Sequence, residues 1–537
     1  MRNKIFSFLT ASVLMASCAE NAVNPLQVNT LNGVVEGVEL EGGVRAFLGV
    51  PFAEAPVGDL RWVAPQPKKN WDGVLSAKEF GPDPMQLPIF GDMAFRGKGM
   101  SEDCLYLNIW TSAKSNNDKL PVLIYFNGGG LMAGSGSEPR YDGAQIAREG
   151  VIGVTANYRE GVFGYFAHPE LSAEADYKGS GNYGFLDQVQ AIKWVRDNIR
   201  AFGGDPERIT IVGESAGSFS VSLLMVSPLS KNDFAGAMLS SGAEVMPYNA
   251  VALSEAENEG LRMLQDKGLM SLNEARKLSA DSLQKLFFPS MKSVVLDGYF
   301  MKESPDSVFA RGEQSQVPLL AGWNSLEGVP SDPTVSGYKD KMRPVFGDMT
   351  DEIFEAYGIL ADKDVMSAPG FTLASDMFTG FPTWKVCDYH ARTSNQLVYR
   401  YKYNHPRPQV SEKMGNKTTA LAGGVREKTE EEADMKPQIA PGAVHSADIE
   451  YAMGNLATNE YFDWQKDDYD ISRVFLSFYA NFCKTGNPNG EGLPTWTPIN
   501  GNLDNAPVMQ IDVESKEVAS SALENAYRTL ERFYRNR

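Results

Sequence analysis

Gly213-Glu214-Ser215-Ala216-Gly217 follows the run Ile209-Thr210-Ile211-Val212 and leads into Phe219-Ser220-Val221-Ser222-Leu223-Leu224. A Gly-x-Ser-x-Gly pentapeptide therefore stands where a strand should turn sharply into a helix, the setting that lifts a serine hydroxyl toward substrate. The flanking glycines suit a strained turn in which a neighbouring side chain would crowd the backbone. With 50 glycines in the chain, the pentapeptide alone is weak, and its partners decide the matter. A serine alcohol is a poor nucleophile unless a base, usually a histidine oriented by a carboxylate, takes its proton.

Only four histidines are available. His168 precedes the serine, whereas an elbow of this kind is followed by its acid and then its histidine. His390 sits in a helical pattern with Trp384, Val386 and Cys387, and His405 closes a strand beside a proline. His445, in Pro441-Gly442-Ala443-Val444-His445-Ser446-Ala447-Asp448, has the right order and a loop's freedom. The acid should lie on a loop at a strand's C-terminal end between Ser215 and His445. Val317 to Gly322 is such a strand, and Glu327 is on the loop that follows. Asp297 reads instead as a turn residue, and Asp448 is too near His445 in sequence to be aimed independently. Acyl transfer also needs donors for an oxyanion. Phe126-Asn127-Gly128-Gly129-Gly130 ends an apolar strand, so the N–H groups of Gly129, Gly130 and Ala216 form the expected hole. A phosphate-binding loop is excluded because neither Lys-Ser/Thr nor GxGxxG follows.

The elements around these residues alternate. Val28 to Val35 and Gly43 to Phe52 read as antiparallel strands, and Leu120 to Phe126 and Val151 to Tyr158 as strands apolar on both faces. Phe185, Val189, Ile192, Val195 and Ile199 recur at helical spacing between Tyr183 and Phe202. Ala235 to Ser240, a helix over about 254–285, Pro318 to Gly322 and Leu397 to Tyr403 follow. The pattern predicts a largely parallel, three-layer α/β domain. Two segments stand apart. Pro65 to Lys98 reads as a long surface loop near the mouth of the site, and Pro406 to Pro441 as a charged insertion, a solvated flap rather than a substrate-contacting lid.

The chain has 537 residues, is 43% hydrophobic and carries a formal net charge of −18. That charge argues against nucleic acid as a partner and fits solubility outside a cell. Arg2 and Lys4 precede the short apolar stretch Ile5 to Ala16, a secretion signal of bacterial type. Leu14-Met15-Ala16-Ser17-Cys18 looks like a lipoprotein cleavage site, with ordinary cleavage after Ala19 as the alternative. We therefore expect a signal peptide over 1–17, lipidation of Cys18, a tether over 18–26 and one catalytic domain over 27–537, exported to the cell envelope and bound to membrane by that lipid alone. Cys104, Cys387 and Cys483 are expected to be free and mostly buried. No CxxC or CxxH spacing is repeated, so no metal site is predicted, and the serine chemistry expected here requires no cofactor.

At this point the chain resembles the type B carboxylesterases, the family of cholinesterases and bacterial para-nitrobenzyl esterases. Besides the elbow, the likeness rests on Phe47-Leu48-Gly49-Val50-Pro51-Phe52-Ala53, Glu102-Asp103-Cys104-Leu105-Tyr106-Leu107-Asn108-Ile109-Trp110, Asn157-Tyr158-Arg159, Gly161-Val162-Phe163-Gly164, Gly181 to Gln188 and Phe202-Gly203-Gly204-Asp205-Pro206. It implies an α/β-hydrolase fold with long loop insertions around the site, and a serine esterase acting through an acyl-enzyme on a small-molecule ester. The family's catalytic motifs fall on Ser215, Glu327 and His445. Ser241 matches a serine that supports the acid from behind, and Glu214 a buried carboxylate beside the nucleophile. There are departures. Asn127 and Leu131 flank the three glycines where His or Tyr and Phe are common, and the usual disulfide partner of Cys104 is missing. Ala94 stands, beside Phe95, where cholinesterases carry a tryptophan, which speaks against choline esters. Two rivals remain open: a binding protein on the same fold, and an enzyme cleaving amides, thioesters or lipid esters.

Overall fold

The computed structural model describes residues 25–287, 293–432, 439–500, 503 and 506–536. The expected signal peptide, Cys18 and all but the end of the tether lie outside these residues. Eleven strands form the main sheet: β1 (Val38–Glu39), β2 (Arg45–Pro51), β3 (Tyr106–Thr111), β4 (Leu120–Phe126), β5 (Ile152–Ala156), β6 (Gly204–Glu214), β7 (Gly236–Ser240), β8 (Leu319–Asn324), β9 (Val398–Tyr403), β10 (Pro507–Ile511) and β11 (Lys516–Ala519). Their spatial order is β11-β10-β9-β8-β7-β6-β4-β5-β3-β2-β1. From β5 through β10 every neighbouring pair is parallel, and the pairs outside that block are antiparallel. This is the doubly covered α/β-hydrolase sheet.

The apolar runs explain the layering, because a strand buried on both faces needs no alternation of polar residues. In β4, Val122, Ile124 and Phe126 enter one core while Leu123 and Tyr125 enter another. Phe185, Val189, Ile192 and Val195 of α1 (Tyr183–Asn198) fill the first core, beside α2 (Ala216–Val226). A third helical stretch consists of α3 (Ala368–Ser375), a wide π-helical turn over Asp376–Gly380, and α4 (Phe381–Thr393). On the opposite face, Ile471, Phe475, Phe478 and Phe482 of α5 (Lys466–Thr485) fill the second core.

Several expectations are corrected. Val28 to Val35 is not one strand pairing with Gly43 to Phe52. A turn at Thr30–Gly33 splits it into Gln27–Asn29 and Val34–Glu36, which pair with each other, while β2 pairs with β3. The helix over 254–285 is three helices, Leu253–Asp266, Leu272–Arg276 and Ala280–Leu286; Gly268, at φ +72°, and the capping hydroxyls of Ser271 and Ser279 break it. Pro65 to Lys98 is not a surface loop throughout. Phe80, Asp83, Met85 and Gln86 are buried, and Gln86 clamps Gly134 with two amide hydrogen bonds of 2.9 Å. Among the described residues no helix is long and apolar enough to cross a membrane.

Candidate active site

The elbow is built by close approach of backbone. Ser215, between β6 and α2, sits at φ +53°, ψ −124°, a conformation that costs about 1–3 kcal/mol and persists only where its surroundings over-determine it. The Ser215 N–H donates to Ser240 O at 2.9 Å. A Cβ on Gly213 would collide with the Gly217 carbonyl, and one on Gly217 with the Phe126 carbonyl. Gly213 is therefore required by the tightness of the elbow itself, and Gly217 by its crossing under β4. Gly128 is held as tightly: a Cβ there would lie 2.6 Å from Glu214 Oε2 and 3.0 Å from Ser215 Cβ.

The expected base and acid converge on this serine. His445 Nε2 lies 2.9 Å from Ser215 Oγ, and its Nδ1 lies 2.7 Å from Glu327 Oε2. Glu327 is fully buried as a side chain and satisfied on both oxygens. Oε1 accepts from Ser241 Oγ at 2.7 Å and from the Asn324 N–H at 2.5 Å, and Oε2 also accepts from Thr379 Oγ1 at 2.6 Å. Burial alone would raise this carboxyl, but His445, Thr379 and the Asn324 amide outweigh it and hold the group below its usual range. Burial likewise opposes the imidazolium of His445, but the Glu214 and Glu327 carboxylates reverse that and raise it above the usual histidine value. Glu214 Oε1 is 3.4 Å from His445 Nε2, and burial pushes the Glu214 carboxyl up to about 8.

The glycine loop faces the elbow. Gly129 and Gly130 have φ of +112° and +66°, and a Cβ on Gly129 would collide with Ala133 O. Ala216 opens α2, so its N–H stands at the positive end of that helix. Asn127, the residue that departs from the family pattern, is buried and donates through Nδ2 to Gly128 O at 2.9 Å and Glu160 Oε1 at 3.2 Å, while Tyr158 Oη donates to Asn127 O at 2.7 Å. The substitution thus ties the loop to the strand-end residues Tyr158 and Glu160. Ala94 lines a cavity of about 250 Å³ with Asp92, Glu138, Arg140 and Tyr461.

The other histidines are structural. His168 Nδ1 caps the helix Pro169–Glu174, His390 Nε2 is 2.8 Å from Val317 O, and His405 Nε2 is 3.0 Å from Asp468. Asp297 holds a turn through the N–H groups of Tyr299 and Met301, and Asp448 accepts from Asn324 Nδ2 at 3.0 Å. Cys104, Cys387 and Cys483 are buried and unpaired. The reading of 406–441 as a solvated flap is corrected in part: residues 433–438 lie outside the described residues, and Glu427, Glu430 and Glu431 are exposed as expected, but Ala422, Gly423 and Gly424 are buried. Lys417–Thr419 and Val425–Glu427 make a hairpin whose tip is pinned inward: Gly424 N–H donates to Asp92 Oδ2 at 2.9 Å, and Ser446 Oγ donates to Leu421 O at 3.0 Å. With Ile89, Phe90, Val410 and Val444 it walls a groove of about 900 Å³. Glycines 423 and 424 allow this approach, since a Cβ on Gly424 would collide with Asp92 O. Sequence reasoning missed Thr379 and Ser375, which lie far from any motif and touch Glu327 only through the fold.

Comparison with known proteins gives the family. Residues 24–530 match the model of the Carboxylesterase family. A fumonisin B1 esterase of Sphingopyxis macrogoltabida is 39% identical over 375 residues, 68% of each chain. Human cocaine esterase is 31% identical over 528 residues, covering 90% of this chain and 88% of its own length. A solved PNB esterase superposes with a TM-score of 0.76 at 27% identity, over 94% of this chain and 99% of its own. With that fold, the elbow and the family match in hand, the chain belongs to the carboxylesterase family and is a carboxylic ester hydrolase.

Proposed function

We propose that the enzyme cleaves its ester through an acyl-enzyme carried on Ser215. His445 Nε2 takes the Ser215 proton as Oγ attacks the ester carbonyl, then returns it to the leaving alcohol; water repeats the sequence to release the acid. Glu327 orients His445 through Nδ1 and stabilises the imidazolium. The N–H groups of Gly129, Gly130 and Ala216 receive the oxyanion. The observation that carries this reading is the unbroken line Ser215 Oγ, His445 Nε2, His445 Nδ1, Glu327 Oε2, with links of 2.9 and 2.7 Å. The relatives bear different substrates in their names, which supports the ester bond, rather than one molecule, as the shared target. The intact triad argues against a binding protein on this fold. Lipid attachment at Cys18 and export stand as part of the same proposal, carried by the N-terminal sequence alone. Ser215→Ala should lower hydrolysis of p-nitrophenyl acetate by roughly 10⁴-fold or more and abolish labelling by a fluorescent organophosphonate; turnover near the wild-type rate would sink the reading.

A further inference from the structure

The acid is held by more than its histidine, and the extra contacts share one helix face. Ser375, Thr379 and Thr383 stand four residues apart along α3, the wide turn and α4. Ser375 Oγ accepts from the N–H groups of Glu327 at 2.9 Å and Gly328 at 3.1 Å. Thr379 Oγ1 donates to Glu327 Oε2 at 2.6 Å. Thr383 Oγ1 accepts from the Gly242 N–H at 2.9 Å, next to Ser241, which itself donates to Glu327 Oε1. All three side chains are buried. Ser375 and Thr383 turn their own hydroxyl protons back to the carbonyls of Phe371 and Thr379, each four residues earlier, at 2.7 Å. Thr379 alone gives its proton to the acid, on the same oxygen that faces His445.

The wide turn accounts for that alignment. In an uninterrupted α-helix, positions four apart drift by about 40° past each full turn. Over Asp376–Gly380 the chain closes its hydrogen bond from the Phe381 N–H to Asp376 O, five residues back, which takes up part of the drift. The turn is fixed on its flank, since Tyr357 and Tyr527 donate to Asp376 at 3.0 and 2.8 Å and Tyr248 Oη donates to Phe378 O at 2.7 Å. A Cβ on Gly328 would collide with Ala374 O, so the acid loop lies directly on this helix.

We propose that Ser375, Thr379 and Thr383 form a hydroxyl ladder that seats the acid loop, and that Thr379 is a further positioning residue, holding Glu327 so that Oε2 faces His445 Nδ1. It rests on the triad reading and goes beyond it. Removing the Thr379 donor leaves Oε2 held by His445 alone, while Oε1 keeps Ser241 and the Asn324 N–H, so the aim of Oε2 loosens and more of its charge is left for the imidazolium.

The test compares Thr379→Val with Thr379→Ser in the full chain, on p-nitrophenyl acetate. The valine variant should lose about 10- to 100-fold in kcat, in the range seen when a partner orienting a functional ligand is removed, with KM within about twofold. Its acid limb of kcat/KM should move to higher pH, because His445 then holds its proton more tightly. The serine variant should restore kcat to within about threefold and return the limb to its wild-type position. A valine variant with wild-type kcat and limb overturns the assignment. So does a serine variant as impaired as valine at the same melting temperature, or a valine loss that tracks a lowered melting temperature with an unmoved limb. Turnover surviving Ser215→Ala overturns the triad and the ladder together, so the two failures are told apart.

Discussion

The proposed nucleophile and its proposed acid are held in opposite ways. Ser215 is placed by main chain on main chain: the Gly213, Gly217 and Gly128 backbones press against the Gly217 carbonyl, the Phe126 carbonyl and the serine itself. Glu327 is placed mainly by side chains, through the hydroxyls of Ser241, Thr379 and Ser375, drawn from segments 48 to 86 residues away, with one main-chain N–H, that of Asn324, beside them. Main-chain contact admits one residue type, so the elbow has no graded alternatives. A cage of hydroxyls tolerates exchange and fails by degrees.

That contrast can be broken at either end. The largest effect should come from Gly217→Ala, whose Cβ is driven into the Phe126 carbonyl; overpacking of this kind costs about 3 kcal/mol or more where backbone cannot yield. Thermal unfolding should show a clear loss of stability and p-nitrophenyl acetate turnover should collapse, whereas an active alanine variant with an unchanged melting temperature would mean that the elbow is not set by backbone contact. Next comes Glu327→Gln. The amide keeps the shape, but it removes the charge and can present the wrong group to Nδ1, and a loss of about 10³- to 10⁴-fold in kcat is expected with little change in KM. A loss below about tenfold would make the hydroxyl cage, not the charge, the acid's main contribution.

The smallest effect is a displacement in pH. In the proposed mechanism only neutral His445 can accept the Ser215 proton, so activity should fall as pH drops through the histidine's pKa. Glu327 and Glu214 raise that pKa above the usual 6.5 against the pull of burial. The acid limb of kcat/KM should therefore lie above pH 6.5 in the wild type and move down in Glu327→Gln, the opposite direction from Thr379→Val. A limb below 6.5 in the wild type would show burial winning over the two carboxylates.

The same contrast explains what could be read in the sequence. Gly213, Gly217, Gly129 and Gly130 are visible because close approach and positive φ leave a mark in residue type, and His445 and Glu327 follow from chain order and strand ends. The parallel block β5 to β10 is legible in its apolar runs for a related reason, since double burial excludes polar residues from Val122, Ile124 or Ala237. Ser375, Thr379 and Thr383 leave no such mark, because a hydroxyl in a helix is ordinary until the fold brings a carboxylate to it. The 417–427 hairpin was illegible for another reason. The charged run that leaves it, Glu427 to Glu432, reads as solvated, yet its attachment runs through Leu421, Gly423 and Gly424, whose carbonyls and amide sequence composition does not weigh.

The three thiols have a consequence for how the molecule is made. Cys104, Cys387 and Cys483 are buried and unpaired, and burial raises all three, with Cys387 and Cys483 pushed up to about 12, so the thiolate needed for exchange is scarce. The described residues thus reach their native arrangement without cross-linking and without an oxidase or isomerase to sort pairings. The described residues should adopt the same arrangement whether the preparation is assembled under reducing or oxidising conditions.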